Sequence, residues 1–362
     1  MSERPDAYAA AGKFEFRGEI LDLKPHGSGH INDTFLVTCQ SAGATSRYVL
    51  QHINRHVFHD PVAVMQNIER VTAHLAKQAA GEPDSARRTL HLVPARDGLH
   101  WHIDAHGETW RAYRFIENAR TYETATSTAQ AYQAARAFGR FQQQLANLPP
   151  PRLNETIPDF HNTPKRVAAL EAAIAADAAS RVSLARPEIE FAQSRAAIAG
   201  VLFSANVPER ITHNDTKFNN VLLDDKTGEA VCVIDLDTVM PGLAPYDFGD
   251  MVRTTTSPAN EDEQDLSKVT MQFAMFEALV RGYLETAGAF LTGAEKELLA
   301  FSGKLITFEI GIRFLTDYLA GDTYFKVHRE GHNLDRCRTQ FKLVESIEQQ
   351  EEKMNRLVTS LG

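Results

Sequence analysis

Residues 211–250 read ITHNDTKFNNVLLDDKTGEAVCVIDLDTVMPGLAPYDFGD and set acidic and amide side chains directly against the apolar runs VLL and VCVI. A carboxylate drawn out of water without a partner is costly. Any fold that buries these runs must pair Asp215, Asp235, Asp237, Asp247 and Asp250 or present them to a cation. The order is His213-x-Asp215-x-x-x-x-Asn220, an apolar run, the turn Asp-Asp-Lys-Thr-Gly at 224–228, and a second apolar run ending at Asp235. That pattern predicts a hairpin with Asn220 entering one strand and Asp235 leaving the other.

Such a layout is what phosphoryl transfer requires. One aspartate, Asp215, accepts the proton of an incoming hydroxyl, a contribution of typically about 10²–10⁴-fold. An amide five residues on, Asn220, and the carboxylate of Asp235 are oxygen donors suited to Mg²⁺ on nucleotide phosphates. His213 is expected to shape the loop. Asp237, on the same side of an extended chain as Asp235, either reaches a second cation or caps a turn. Asp247 and Asp250 are expected to brace the loop or a helix start.

Upstream, the pattern changes to strands. Residues 14–116 predict a sheet of about five strands with one inserted helix. EILDLKPHGSGHINDTFLVTCQ holds two extended runs joined at PHGSGH, and SRYVLQHIN is a third. In DPVAVMQNIERVTAHLAKQ, Val62, Met65, Ile68, Val71 and Leu75 share one helical face, with Asp60 as N-cap and Pro61 in the first turn. RTLHLVPA, HWHIDAHG and TWRAYRFIE are further extended runs. Beyond residue 125 most of the chain is helical, apart from the region around Asp215. The fold class is therefore α+β and bilobal: a small antiparallel-sheet lobe over 1–116, a connector near 113–120, and a larger, mostly helical lobe over 117–362. A cleft between two such lobes is where a ligand belongs.

Composition excludes several alternatives. A net charge of −9 argues against nucleic-acid or membrane-surface partners. No apolar run is long enough for a membrane span and the first residues lack the core of a signal peptide, so the cytoplasm is the expected compartment. Cys39, Cys232 and Cys337 form neither a disulfide framework nor a zinc site. No GxxxxGK[ST] loop occurs.

Taken together, GSGHINDTF, WRAYRFIENARTY, THNDTKFNNVLLD, CVIDLDTVMPGLAPYDFGDMVR and FEIGIRFLTDYLAGDTYF resemble the aminoglycoside-phosphotransferase and choline-kinase superfamily, and within it the bacterial N-acetylhexosamine 1-kinases. The resemblance implies a protein-kinase-like fold, ATP and Mg²⁺ as cofactors, and a sugar acceptor, GlcNAc or GalNAc, phosphorylated on its anomeric hydroxyl. It implies Asp215 as base and Asn220 and Asp235 as metal ligands. Gly27, Ser28 and Gly29 would cover the phosphates, and Tyr113, Phe115 and Ile116 would border the adenine. His30, Arg313 and Tyr324 would join Asp215 around the acceptor.

Two positions depart from the family pattern. The strand expected to carry a phosphate-binding Lys or Arg offers Gln51 and His52 instead; His52, with Glu69 as its helix partner, stands nearest, and Arg47 and Arg55 lie further off. Thr254 follows Arg253 where the pattern has an aromatic. Arg313 has a second reading, an intrahelical ion pair with Asp317. The alternatives in function are a kinase of another small alcohol, such as choline, ethanolamine, an aminoglycoside or a different sugar, or a nucleotide-binding pseudokinase.

Overall fold

The structure is a computed structural model that describes residues 6–27 and 31–362. Strands β1 (Glu19–Pro25), β2 (Asp33–Ser41), β3 (Ala44–Ile53), β4 (His102–Ile103) and β5 (Thr109–Arg114) form one antiparallel sheet in the order β1-β2-β3-β5-β4. RTLHLVPA does not become a strand of this sheet. It touches β5 only through the Leu92–Tyr113 bridge, and Pro94 has no N–H with which to extend a ladder.

Alternation along β3 and β5 gives the sheet two distinct faces. Tyr48, Leu50, Trp110 and Ala112 pack on the outer face against Phe14 and the short helix Ala7–Ala11. Ile53 and Tyr113, one residue out of phase, join the main core on the inner face. There they meet the helix Pro61–Gln78, whose Asp60 cap accepts from Ala63 N–H at 3.0 Å. Val64, Met65, Ile68, Val71 and Leu75 are its buried stripe, and Val62 is only half-buried. Removing each large aliphatic side chain of that stripe from water contributes about 1.5–3 kcal/mol.

After the connector the chain is mostly helical, as expected. Helix Thr128–Leu145 packs against Phe273–Ala287. Gly282 permits this approach, since a Cβ there would stand 2.2 Å from the carbonyl oxygen of Tyr132. Helix Leu299–Leu319 packs on Ala244–Thr255 and His332–Glu348. Two small sheets pack against helix Thr128–Leu145. Arg210–Thr212 pairs with Met240–Gly242, while Val221–Asp224 pairs with Ala230–Val233 and with Ala119–Arg120. Among the described residues, no helix is long and apolar enough to cross a membrane.

Candidate active site

The predicted hairpin forms, and its ends meet the 213–220 loop. Ile234 N–H donates to the carbonyl of Asn220 at 2.9 Å, and His213 Nε2 contacts the carbonyl of Ile234 at 2.9 Å. Asp215 N–H reaches His213 Nδ1 at 3.3 Å. Edge-on contacts from Phe138 and Phe141 wedge the buried ring. His213 shapes the loop, as its sequence position predicts.

Asp247, in the first turn of helix Ala244–Thr255, braces the same loop. Its carboxylate accepts from His213 N–H at 2.9 Å, Asn214 N–H at 2.7 Å and Gln142 Nε2 at 2.5 Å. Burial still pushes its pKa above the ordinary value, against the pull of His213 and these donors. Asn214 takes a left-handed backbone (φ 65°), which asparagine tolerates, and its side chain donates to Thr238 O at 2.9 Å.

Asn220 Nδ2 donates to the carbonyl of Asp215 at 2.8 Å and to its Oδ2 at 3.2 Å. Lys217 Nζ lies 2.8 Å from Asp215 Oδ1. Burial opposes ionisation of Asp215, but Lys217, His213 and Arg253 outweigh it and hold its pKa below the ordinary value. Asp235 behaves in the opposite way. It adopts a left-handed backbone (φ 60°) and is exposed. Loss of water to the surrounding walls, then the charges of Asp237 and Asp215, push its pKa up to about 6. A carboxylate repelled by two others, beside the Asn220 amide, is a donor set that fits a hard cation. Lys217 was missed, although it stands two residues from Asp215 in the loop.

Asp237 is occupied by the protein itself. Arg111 on β5 pairs with its Oδ1, and Asn32 Nδ2 donates to Oδ2 at 2.5 Å. Arg111 is buried and also donates to Gln51 Oε1 at 2.9 Å. The buried cation on this face of the sheet therefore comes from β5 rather than β3. Arg111 was also missed, though the alternation of TWRAYR separates Arg111 and Tyr113 from Trp110 and Ala112.

His52 requires a correction. It shares its face of β3 with Tyr48 and Leu50, so its ring packs on Trp110 and bonds Glu108 at 2.9 Å, away from Gln51 and Arg111. Glu69 does not pair with it and instead contacts His100 at 2.5 Å. Arg47 pairs with Glu117 and lies over the Phe115 ring. Gly27 has φ 78° and open space around it. Ser28, Gly29 and His30 lie outside the described residues.

In the connector, Phe115 N–H donates to Arg47 O at 3.1 Å. Ile116 is buried, yet its backbone groups make no hydrogen bond among the described residues. Its side chain packs with Cys232, Leu222 and Ile234 from the hairpin. Apolar walls beside free backbone donors and acceptors suit the edge of a flat base. Tyr113 lies deeper, with its hydroxyl buried and unpartnered.

On the other side of the loop, His161 Nε2 contacts Asn214 O at 3.1 Å and its Nδ1 contacts Glu309 at 2.8 Å. One turn on, the Arg313 guanidinium lies against the rings of Phe160 and Phe325 at 5.3 and 5.7 Å. The Arg313–Asp317 pair does not form. Asp317 instead accepts from the N–H groups of Thr323, Tyr324 and Phe325 and from Asn333 Nδ2. Tyr324 is 61% exposed. Thr254 turns its hydroxyl back onto Asp250 O at 2.8 Å.

Residues 22–287 match the model of the phosphotransferase enzyme family. Three solved structures share the fold. An aminoglycoside phosphotransferase from Alicyclobacillus acidocaldarius is 12% identical, with a TM-score of 0.66 and coverage of 100% of this chain and 98% of that one. A microcompartment-associated aminopropanol kinase is 17% identical, with a TM-score of 0.58 over 96% and 98%. A ternary complex of an aminoglycoside phosphotransferase with streptomycin and ATP is 16% identical, with a TM-score of 0.52 over 95% and 99%.

Proposed function

Because the chain belongs to the phosphotransferase enzyme family, we propose that it transfers the γ-phosphoryl group of ATP to the anomeric hydroxyl of an N-acetylhexosamine, GlcNAc or GalNAc, giving the sugar 1-phosphate. At the coarser level it is a small-molecule kinase acting on an alcohol group. The carrying observation is that Asn220 ties the two acids together, donating Nδ2 to Asp215 and accepting at its carbonyl from the N–H of Ile234, the residue before Asp235. Asp215, kept ionised beside Lys217, accepts the hydroxyl proton as the phosphoryl group moves. Asn220 and Asp235 would hold Mg²⁺, which supplies charge neutralisation on the phosphates. Residues 1–116 form the nucleotide side in this reading and 117–362 the acceptor side. ATP supply makes the cytoplasm the natural compartment.

The sugar reading is supported by the family resemblance of the Arg313 segment and by an Arg313 guanidinium left free of Asp317 between two aromatic rings. A second reading, a kinase of an amino alcohol, has one observation in its favour: Asp250 Oδ2 is buried without a hydrogen-bond partner and would suit an ammonium group. An ATP-consumption screen over GlcNAc, GalNAc, neutral hexoses, choline, aminopropanol and aminoglycosides separates the two. Turnover on an amino alcohol and on no sugar would sink the sugar reading.

A further inference from the structure

A cavity of about 50 Å³ opens between helix Thr128–Leu145, strand Ala230–Val233 and residues 88–89. None of Asp215, Asn220 and Asp235 lines it. Its lining carries three arginines, Arg88, Arg136 and Arg140, and no carboxylate. Burial pushes the Cys232 thiol in its wall up to about 12, so that residue adds no negative charge.

The polar groups divide by depth. Arg136 and Arg140 are partly exposed, and each pairs with an acid beyond the lining, Glu285 and Glu82. Arg88 gives NH1 to the carbonyl of Ala230 at 3.2 Å, while its Nε is buried with no partner among the described residues. Thr89 is 2% exposed, and its hydroxyl is likewise unpartnered. Buried donors are rarely left unmade. Two unmade donors, Arg88 Nε and the Thr89 hydroxyl, in a lining that holds two more guanidiniums and no carboxylate, match the needs of an oxyanion.

We propose that this cavity binds a phosphate-class oxyanion, with Arg88 and Thr89 at its floor and Arg136 and Arg140 at its mouth. Its volume suits inorganic phosphate or one phosphoryl group, not a whole nucleotide. A tetrahedral oxyanion offers enough acceptor oxygens for all four side chains, whereas a carboxylate offers two.

The test fills the cleft first, with Mg²⁺ and a non-hydrolysable ATP analogue, and then titrates inorganic phosphate at constant ionic strength. Calorimetry and Tm are the readouts. The expected result is a saturable response whose Kd rises about ten-fold or more in Arg88→Met and in Thr89→Val, in keeping with the loss of charge-assisted bonds. Arg356→Met, on the exposed terminal helix, leaves it unchanged. Acetate gives no saturable response. Crystals soaked in tungstate, which do not depend on any variant folding, show an anomalous peak against Arg88. A response that fails to saturate, one that survives Arg88→Met unchanged, stronger binding of acetate than of phosphate, or a soaked cavity holding only water would each overturn the proposal.

Discussion

Arg111 on β5 and Asp237, two residues beyond Asp235, form a buried ion pair that joins the sheet to the loop bearing the candidate metal ligand. Both side chains are almost wholly withdrawn from solvent, at 1% and 3% exposure. Losing one partner from such a pair leaves the other charged and uncompensated.

Arg111→Met is therefore expected to lower unfolding stability by about 3–5 kcal/mol in urea titrations. Adding Asp237→Leu should recover part of the loss by removing the stranded charge. A loss below about 1 kcal/mol for the single variant would show that the pair does not hold the loop.

Asp215→Asn should reduce kcat by about 10²-fold or more while nucleotide affinity, read by titration with an ATP analogue, changes little. Equal turnover in the variant would remove Asp215 from proton transfer. A large loss of nucleotide affinity would instead assign it to binding.

His52→Gln tests the face assignment of β3. With the ring turned onto Trp110 and Glu108, the variant should keep its KM for ATP within about two-fold and lose about 1 kcal/mol of stability from the broken hydrogen bond. A ten-fold rise in KM would return His52 to the nucleotide.

His161 and Glu309 give stability a pH signature. Burial works against the proton on His161, but Glu309 outweighs it and raises the pKa above the ordinary 6.5. The His161 share of stability is thus full below 6.5 and is lost as pH rises through the raised folded value. Burial likewise opposes charge on Glu309, yet His161 holds its pKa below the ordinary 4.5. The Glu309 share is present above 4.5 and is lost as pH falls through the lowered folded value. Wild type should exceed Glu309→Gln most between these two ordinary values, with a gap that shrinks towards pH 9. A gap independent of pH would contradict the pair.

How much of this was legible in the chain depended on distance along it. The hairpin, the Asp215–Asn220 spacing and the helix capped by Asp60 are local patterns, and each forms as expected. His52 and Glu69 were joined because strand and helix follow one another, but a strand side chain has a face as well as a position. The outer core of Phe14, Tyr48 and Trp110 claims the face of His52, and that core is assembled from three separate segments. Arg111–Asp237 and His161–Glu309 cross 126 and 148 residues, so neither pairing leaves a local trace. Arg313 beside Asp317 is the reverse case. A helix-compatible ion pair was available, and the turn at 323–325 took the carboxylate instead.

The peptide of Ile234 touches both sides of the candidate centre, giving its N–H to Asn220 and its carbonyl to His213, and Asp235 is the next residue. The separation between Asp215 and Asp235 is thereby gauged, on the hairpin side, by the main-chain atoms of residue 234. Such a gauge is indifferent to the identity of side chain 234. That position is free to drift, and to reshape the apolar wall it shares with Ile116, without altering the alignment of the two acids.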